Sequence, residues 1–426
     1  MTDNGSELLQ KITESDKRIQ KKRKGKNIKM KDELYGDLSI ISTRGNEEFA
    51  LQVDEWIRQW RYEEAVKKAQ EEKGEADATL FDTDITVNSF FDHAETIRFA
   101  DGEGKCILHE SLRGHDVYIL CDLFNYGVTY KMYGVEQRMS PDDHYQDLKR
   151  IIGAIGGKAR RISVIMPMIY EGRQDKRSQR ESLDCAISLQ ELVNMGVTNI
   201  ITFDVHNQSV QNAIPYHGFE NVHPTYQMLK ALVAKVPDIS ITPEDLVIFS
   251  PDEGGMSRCV YYSSVLGLDL SMFYKRRDYT KIVNGKNPIV AHEYLGGDIA
   301  GKDVIVVDDI IASGESMMDV AHKLREMNAR RIFMFASFGL FCEGLDKIDA
   351  AYERGDFDYL FTTNLVYRSD ELKKRKWYVE VNLCKYVALL VDTLNHDRSI
   401  SSLLSNAEKI TALQKAHQNR TENSDK

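Results

Sequence analysis

The sequence predicts an α/β protein with two similar domains, each a mainly parallel sheet flanked by helices. Three observations support this fold class. Short apolar runs without polar alternation, such as DVIVV at 303–307, are typical of strands covered on both faces. Helical stretches separate several of these runs, which is the pattern of β-α-β units. The chain of 426 residues is long enough for two or three domains.

Short apolar runs are predicted to be strands, joined by right-handed crossovers where neighbours are parallel. These runs span 37–43, 115–121, 161–168, 197–205, 246–252, 269–275, 303–309 and 331–337. Helices are predicted at 46–60, 181–196 and 316–329. The charged stretch 63–78 is also helix-prone and looks like a surface insertion that ends near Gly74.

These elements divide the chain into a charged arm, two α/β domains and a tail. We expect a flexible N-terminal arm at 1–36 and a first domain at 37–230 with an insertion near 61–92. A second domain is expected at 231–404, and the chain could return to the first domain at its end. Residues 405–426 are predicted to be a polar tail that frays.

Charge, cysteine usage and hydropathy argue against several classes of protein. The formal net charge of −10 argues against a specific nucleic-acid partner. The six cysteines include no CxxC pair, and the sequence has no run of 18 apolar residues and no apolar signal-peptide core. We therefore expect a cytoplasmic protein that does not bind membranes. Nine basic residues between Lys17 and Lys31 fit either a solvated tail or an anion-binding arm.

Ligands of open α/β sheets bind at the carboxyl ends of the strands, so the residues after each run are the candidate site. Asp308 and Asp309 end the run at 303–309, and the small-residue loop ASGES follows at 312–316. Converging backbone amides and a helix N-terminus can cradle a phosphate. The two carboxylates can accept hydrogen bonds from sugar hydroxyls or hold a hydrated Mg²⁺. The unit therefore fits a ribose phosphate, although a turn with Ser316 as helix N-cap fits the same residues.

Cationic and metal-binding side chains follow other runs. The segment 173–180 has three arginines and a lysine, which suit phosphate groups unless the loop is simply solvated. His206 and Asp252 follow neighbouring runs and could flank a divalent metal such as Mg²⁺, which keeps several waters. A structural role for the histidine stays open. Lys275 and Arg277 begin a polar stretch that suits a loop closing over phosphates, or an exposed turn.

An aromatic residue and two acids precede the second predicted strand. Phe99, Asp101 and Glu103 lie in the sequence RFADGEGK. These side chains could hold an adenine ring and its amino group, but a turn with Asp-Gly needs no ligand. The residues alone leave both interpretations open.

Six motifs between about Asp37 and Leu404 resemble, in order and rough spacing, the ribose-phosphate pyrophosphokinase (phosphoribosyl pyrophosphate synthetase) family. They are FADGEGKCILHESLRGHDVYI, GRQDKR, FDVHNQSVQNAI, SPDEGGMSR, YKRR and VIVVDDIIASGES. The last motif alone resembles the wider type I phosphoribosyltransferases, whereas GRQDKR and FADGE favour the synthetase. The resemblance implies two phosphoribosyltransferase-like domains. It also implies transfer of the pyrophosphoryl group of MgATP to C1 of ribose 5-phosphate, which gives 5-phosphoribosyl 1-pyrophosphate and AMP for nucleotide biosynthesis.

The resemblance implies a role for each candidate residue. The ATP-binding residues would be Phe99, Asp101, Glu103, Arg173, Gln174 and Asp175. The first three would reach across a subunit interface of a homo-oligomer. The catalytic residues would be Lys275, Arg277 and His206, and Mg²⁺ would be bound by His206 and Asp252. Ribose 5-phosphate would be held by Asp308, Asp309, Ser313, Gly314, Glu315 and Ser316.

Three features depart from the family pattern. Ala312 replaces the third acid of the phosphate loop, Glu315 replaces a small residue, and a proline is absent from QRESLDC at 179–185. The charge of Glu315 would oppose a phosphate unless the side chain points outward, and we expect it to point outward. Ala312 and Glu315 leave open a catalytically weak regulatory paralogue that associates with an active synthetase. The last motif leaves open a phosphoribosyltransferase.

Overall fold

The computed structural model describes residues 34–73, 86–277 and 289–424. Most of the predicted N-terminal arm, the middle of the predicted insertion and the polar stretch that leads to Pro288 lie outside these described residues.

The described strands and helices alternate along most of the chain. The strands are β1 Leu38–Ser42, β2 Ala94–Arg98, β3 Gly104–Leu108, β4 Asp116–Leu120, β5 Thr129–Met132, β6 Val135–Arg138, β7 Arg161–Ile165, β8 Asn199–Phe203, β9 Gly218–Val222, β10 Leu246–Ser250, β11 Asp269–Arg277, β12 Ile289–Leu295, β13 Asp303–Ile311, β14 Arg331–Gly339, β15 Tyr359–Thr363 and β16 Tyr378–Val381. The α-helices are α1 Glu47–Lys73, α2 Pro141–Ile155, α3 Asp184–Asn194, α4 Thr225–Lys235, α5 Met256–Leu266, α6 Glu315–Glu326, α7 Asp346–Glu353, α8 Asp370–Lys373, α9 Cys384–Asn395, α10 Ser401–Leu404 and α11 Ala407–Ser424.

Two open sheets form the framework. The first has the strand order β1-β4-β7-β8-β9 and is parallel throughout. The second has the order β12-β11-β10-β13-β14-β15-β16 and is parallel except for the antiparallel edge strand β12. Two antiparallel hairpins, β2–β3 and β5–β6, lie outside these sheets. The predicted fold class, mainly parallel sheets flanked by helices, is confirmed.

The apolar runs form strands that are covered on both faces. Every residue of β4 and β10 is buried. One hydrophobic cluster continues from the first sheet to the second and includes Ile40 of β1, Leu232 of α4 and Phe335 of β14. The two halves of the molecule therefore share part of their core, which limits how far the two sheets can move apart.

Helix α2 shows how local sequence signals set an element beside the cavity described below. Ser140 caps the helix through the Asp143 amide, and the Asp143 side chain accepts a hydrogen bond from the Ser140 amide at 3.0 Å. Pro141 occupies the first helical turn, where its missing N–H costs nothing. The helix begins there as the capping box dictates.

Helix α1 is longer than the helix predicted at 46–60. It continues through much of the charged stretch to Lys73. Pairs at i and i+4, Lys68 with Glu64 and Lys67 with Glu71, lie along this extension at 3.2 and 3.6 Å. Such pairs support an exposed helix that has few apolar contacts.

The end of the chain packs against both halves of the molecule. Helix α9 packs against α1, and Arg61 donates hydrogen bonds of 2.9 Å to Asp392 and Asn395. Asn395 in turn donates to the Gly36 carbonyl at 3.0 Å. The last strand of the second sheet is thus followed by a helix of the first half.

The expectation that the C-terminal residues fray is wrong for most of the described tail. Helix α11 packs against α4 and α5. It buries Ile410 and Leu413, and Nε2 of His417 lies 2.6 Å from the Ile239 carbonyl oxygen. The polar composition of 405–426 led to the wrong expectation, because a few apolar residues are enough for packing when they recur at helical spacing. Every helix in the described ranges is too short or too polar to span a membrane.

Candidate active site

The carboxyl ends of the two sheets meet at a cavity of about 350 Å³. The first sheet contributes the segments after β7 and β8, which carry Arg173, Gln174 and His206. The second sheet contributes Asp309 of β13. Because ligands of parallel sheets bind at this end of the strands, the cavity is the candidate active site.

The two adjacent acids lie within strand β13, not at its end as predicted. The strand continues to Ile311, and Ile310 stays in register with Phe338 of β14. Successive side chains of a strand point to opposite faces, so the two acids have different surroundings. Asp309 lines the cavity, whereas Oδ1 of Asp308 accepts a hydrogen bond from the Asp309 amide at 2.9 Å.

A hydrogen bond between His206 and Asp309 joins the two halves of the molecule. Nδ1 of His206 lies 2.9 Å from Oδ2 of Asp309. Burial favours the neutral acid, but the His206 hydrogen bond and the Arg258 charge hold the pKa of Asp309 below its usual range. Burial, and then the charge of Asp309, raise the pKa of Asp308. Asp309 is therefore the ionised member of the pair.

His206 should titrate above the ordinary histidine range. The hydrogen bond to Asp309 raises the pKa of His206, although burial opposes it. Because the folded value is raised, the pair contributes stability that is complete below the ordinary pKa of about 6.5 and is lost as the pH rises through the folded value. We expect an NMR titration of His206 to give a pKa above about 6.5 and Asp309→Asn to lower it. The variant His206→Gln identifies the signal among the 11 histidines. A pKa at or below the peptide value would contradict the pairing.

Arg258 and Asp204 complete the charged network, and neither was predicted as a site residue. Nε of Arg258 lies 3.3 Å from Oδ2 of Asp204, and Nη2 lies 3.7 Å from Oδ2 of Asp309. Arg258 lies in the motif SPDEGGMSR, and Asp204 lies in the motif FDVHNQSVQNAI. The signal in the sequence was an arginine in the first turn of the helix after β10, close to the carboxyl ends of the strands.

The residues predicted to bind ATP are only partly brought together. Arg173 and Gln174 line the cavity, and Asp175 accepts a hydrogen bond from Nδ2 of Asn207 at 2.6 Å. The segments after β7 and β8 are therefore joined beside His206. Asp252, predicted to bind metal, accepts hydrogen bonds through Oδ1 from the amides of Gly254 and Gly255, at 2.9 and 3.3 Å, and so shapes the turn after β10.

The predicted adenine-binding residues lie apart from the cavity of their own chain. Phe99, Asp101 and Glu103 form the tip of the β2–β3 hairpin, and Oδ1 of Asp101 accepts a hydrogen bond from the Glu103 amide at 3.0 Å. Phe99 is 47% exposed, and Nζ of Lys105 lies 5.8 Å from the centroid of its ring. Whether these residues bind adenine stays a prediction.

The segment 312–316 runs from the end of β13 into the first turn of helix α6, which begins at Glu315, so that Gly314 and not Ser316 holds the N-cap position. Gly314 has φ 84°, a conformation that glycine adopts without strain, and it immediately precedes the helix. Oγ of Ser313 accepts a hydrogen bond from the Glu315 amide at 3.4 Å. The Glu315 side chain is 67% exposed and lies 3.9 Å from Nζ of Lys347 on α7. The loop therefore offers a helix N-terminus while its one acid lies against a lysine.

The predicted catalytic cations lie on a strand that is longer than expected. β11 includes Lys275 and Arg277 and pairs with β12, with an irregular register between Arg276 and Arg277. The polar segment that the sequence assigns to a loop therefore starts as a β-ribbon. Residues 278–288 lie outside the described part of the chain.

Two family models match the chain. The N-terminal domain of ribose phosphate pyrophosphokinase matches residues 38–196, and a phosphoribosyl transferase domain matches residues 220–353. The ribose-phosphate pyrophosphokinase of Vibrio cholerae is 26% identical over 317 residues, covering 73% of this chain and 91% of that protein. The Thermotoga maritima enzyme of the same name is 28% identical over 298 residues, covering 68% of this chain and 84% of that protein.

A solved structure shares the fold. The phosphoribosylpyrophosphate synthetase from Mycobacterium smegmatis aligns with a TM-score of 0.64 at 19% identity, and the alignment covers 85% of this chain and 99% of that chain. The two consecutive domain matches, the relatives and this shared fold agree with the order of motifs in the sequence. The chain belongs to the ribose-phosphate pyrophosphokinase family of enzymes.

Proposed function

We propose that the protein transfers the pyrophosphoryl group of MgATP to the C1 hydroxyl of ribose 5-phosphate. The observation that carries the proposal is the cavity between the sheets. It combines Arg173 and Gln174, candidates for ATP, with Asp309, the candidate for the sugar. The 2.9 Å contact between His206 and Asp309 joins the two halves of this site.

The sugar phosphate would be held at two points. Backbone amides of 312–316, at the N-terminus of α6, suit the 5-phosphate. The ionised carboxylate of Asp309 suits the ribose hydroxyls, because a carboxylate accepts several hydrogen bonds and donates none. In the transfer, the C1 oxygen bonds to the β-phosphorus of ATP and the bond between that phosphorus and the α-phosphate oxygen breaks. AMP leaves and the hydroxyl proton is released.

Such a transfer needs positioning and positive charge more than covalent help. Arg173 on the cavity wall would contact the triphosphate. Lys275 and Arg277 of β11 are proposed to stabilise the charge that spreads over the transferring group. Cations that reach the transferring group only when both substrates are bound would stabilise the transition state more than the bound substrates.

A sparse Mg²⁺ site fits the residues present. Within the described ranges, no group of three or more His, Cys, Asp or Glu side chains is arranged to hold a metal ion. Mg²⁺ nevertheless takes few protein ligands and is held largely by water and phosphate oxygens. His206 would be a ligand whose ring is oriented through Nδ1 by Asp309, and Asp252 would act from the turn after β10. The ion would neutralise phosphate charge.

A direct assay tests the proposal. Purified protein incubated with ribose 5-phosphate, MgATP and inorganic phosphate should release AMP and 5-phosphoribosyl 1-pyrophosphate in equal amounts. Omission of ribose 5-phosphate is the control for simple ATP hydrolysis. Failure to bind either substrate would refute the proposal.

A catalytically weak paralogue is the second candidate, and Ala312 is the observation that favours it. The loop lacks the third acid of the family pattern at this position, because alanine has no carboxylate. Binding of both substrates without product would support this candidate.

Neutralising Glu315 should barely change the affinity for ribose 5-phosphate. The side chain is largely exposed and already lies near Lys347, and an exposed charge in the first turn of a helix is worth a few tenths of a kcal/mol. For Glu315→Gln we therefore expect the dissociation constant of ribose 5-phosphate to change by less than about threefold. Calorimetry that shows tightening of about tenfold or more would mean that the acid opposes the phosphate.

We also propose that the Phe99 hairpin serves the ATP site of a neighbouring subunit in a homo-oligomer. Its exposed tip and its place outside the cavity of its own chain support this. Each site would then take Phe99 from one subunit and Asp309 from its neighbour. Phe99→Ala and Asp309→Asn would therefore affect contributions from different subunits. We expect a mixture of the two variants, unfolded and refolded together, to be more active than either variant alone. No recovery in mixed oligomers would contradict a shared site.

A further inference from the structure

Arg258 is a buried cation between carboxylates from the two halves of the molecule. It lies in the first turn of α5, between Asp204 after β8 and Asp309 of β13. Its side chain is 9% exposed. A buried charge is tolerated only where opposite charges surround it. The arrangement therefore links the candidate sugar site to the other half of the chain.

Asp204 is fully engaged by the protein, although it lines the cavity. Nδ1 of His223 lies 2.8 Å from Oδ1 of Asp204, and Ser337 donates a hydrogen bond to Oδ2. The Asp204 backbone has φ 42°, a conformation that a non-glycine residue keeps only when its surroundings hold it. Asp204 is thus held by the protein on both carboxylate oxygens and can anchor Arg258.

Arg258 and His206 approach the same oxygen of Asp309. The distances to Oδ2 are 3.7 Å from Nη2 of Arg258 and 2.9 Å from Nδ1 of His206. Two contacts on one oxygen fix the plane of the carboxylate.

Hydrogen bonding alone does not explain where Arg258 lies. Its buried Nε has no hydrogen-bond partner among the described residues, despite the 3.3 Å approach to Asp204. Nη2 of Arg258 donates a long hydrogen bond of 3.5 Å to the Asp204 carbonyl oxygen. Its other contacts place the positive charge between the carboxylates of Asp204 and Asp309.

We propose that Arg258 is a positioning residue for ribose 5-phosphate, which orients the Asp309 side chain while Asp204 anchors it from the other half of the chain. This inference rests on the proposed function. Its consequence is that the affinity for the sugar phosphate depends on Asp204, which does not contact the sugar. The two halves must be docked for the sugar site to form.

Calorimetric titrations of the full chain test this role. Ribose 5-phosphate, with and without a non-hydrolysable ATP analogue, and MgATP are titrated into wild type, Arg258→Met, Arg258→Lys and Asp204→Asn. For Arg258→Met and Asp204→Asn we expect the dissociation constant of ribose 5-phosphate to rise by about tenfold or more. That of MgATP should change by less than about threefold. Arg258→Lys keeps the charge and should recover part of the affinity.

Arg161→Met is the matched control. Arg161 is similarly buried, with 11% of its side chain exposed, and lies 2.6 Å from Asp116. That pair begins β7 and β4, at the opposite end of the first sheet. The variant should leave both dissociation constants within about threefold of wild type, whatever it does to stability.

Two results would overturn the role of Arg258. One is a ribose 5-phosphate affinity within about threefold of wild type in Arg258→Met, and the other is equal weakening of both ligands. If Arg258→Met does not fold, Asp204→Asn makes the same comparison. Failure of the wild type to bind either ligand would refute the proposed function instead.

Discussion

Replacement of Lys275 or Arg277 by alanine is expected to lower turnover by at least about tenfold, and by roughly 10²–10³-fold if each is a preorganised donor to the transferring group. Each cation would stabilise negative charge that develops during transfer. Removing one such donor typically costs about 2.7–4 kcal/mol of transition-state stabilisation. Steady-state kinetics with ribose 5-phosphate and MgATP measure the effect.

Arg276→Ala is the control for these two variants. It removes one positive charge from the same strand, β11, and the resemblance to the family assigns it no role. Thermal unfolding of all three variants separates lost catalysis from lost folding. Turnover within about twofold of wild type for Lys275→Ala and Arg277→Ala would remove this strand from the chemistry, since a donor to the transition state costs far more than that.

Asp309→Asn is expected to weaken ribose 5-phosphate binding by about 10- to 100-fold, as loss of a charged hydrogen-bonding group does, with a much smaller effect on ATP. The asparagine amide offers one acceptor oxygen where the carboxylate offers two. Its NH₂ group only donates, so it cannot accept the hydrogen bonds that the ribose hydroxyls donate. The substitution also leaves the buried charge of Arg258 with one carboxylate fewer.

Asp308→Asn is the matched variant, because it changes the adjacent acid of the same strand. Burial and the charge of Asp309 raise the pKa of Asp308, so its neutral form is already favoured. Its substitution should therefore cost less sugar affinity than that of Asp309. Calorimetry that gives equal losses for the two variants, or equal losses of sugar and nucleotide, would assign Asp309 a general structural or metal-binding role.

The central strands could be predicted because burial on both faces leaves a plain apolar run in the sequence. Strand β10, LVIFS, is buried at every position. The hairpin β2–β3 could not be recognised in the same way, because its residues are mostly half-buried and mix polar with apolar side chains. The edge strand β16 has four residues, too few for a period.

The candidate site was predictable as a set of motifs but not as a network. The sequence indicates that 173–175, His206 and Asp309 follow parallel strands and should meet. It does not indicate that Arg258 bridges Asp204 and Asp309, since these residues are far apart in the chain and belong to different sheets. The different surroundings of Asp308 and Asp309 also depend on β13 continuing to Ile311, which the following small-residue loop obscured.

The return of α9 to the first sheet sets an order for assembly on the ribosome. The α1 surface that α9 covers includes Gln52 and Trp56, which contact Cys384 and Lys385. These partners emerge only after the whole second sheet has been translated. Multidomain chains usually complete their N-terminal domain first, whereas here the second sheet can close while the first half still waits for its last helix. We expect nascent chains that stop before residue 384 to bind chaperones through the uncovered surface of α1. Proteolysis of ribosome-bound chains of increasing length would show the chain length at which α9 begins to protect α1.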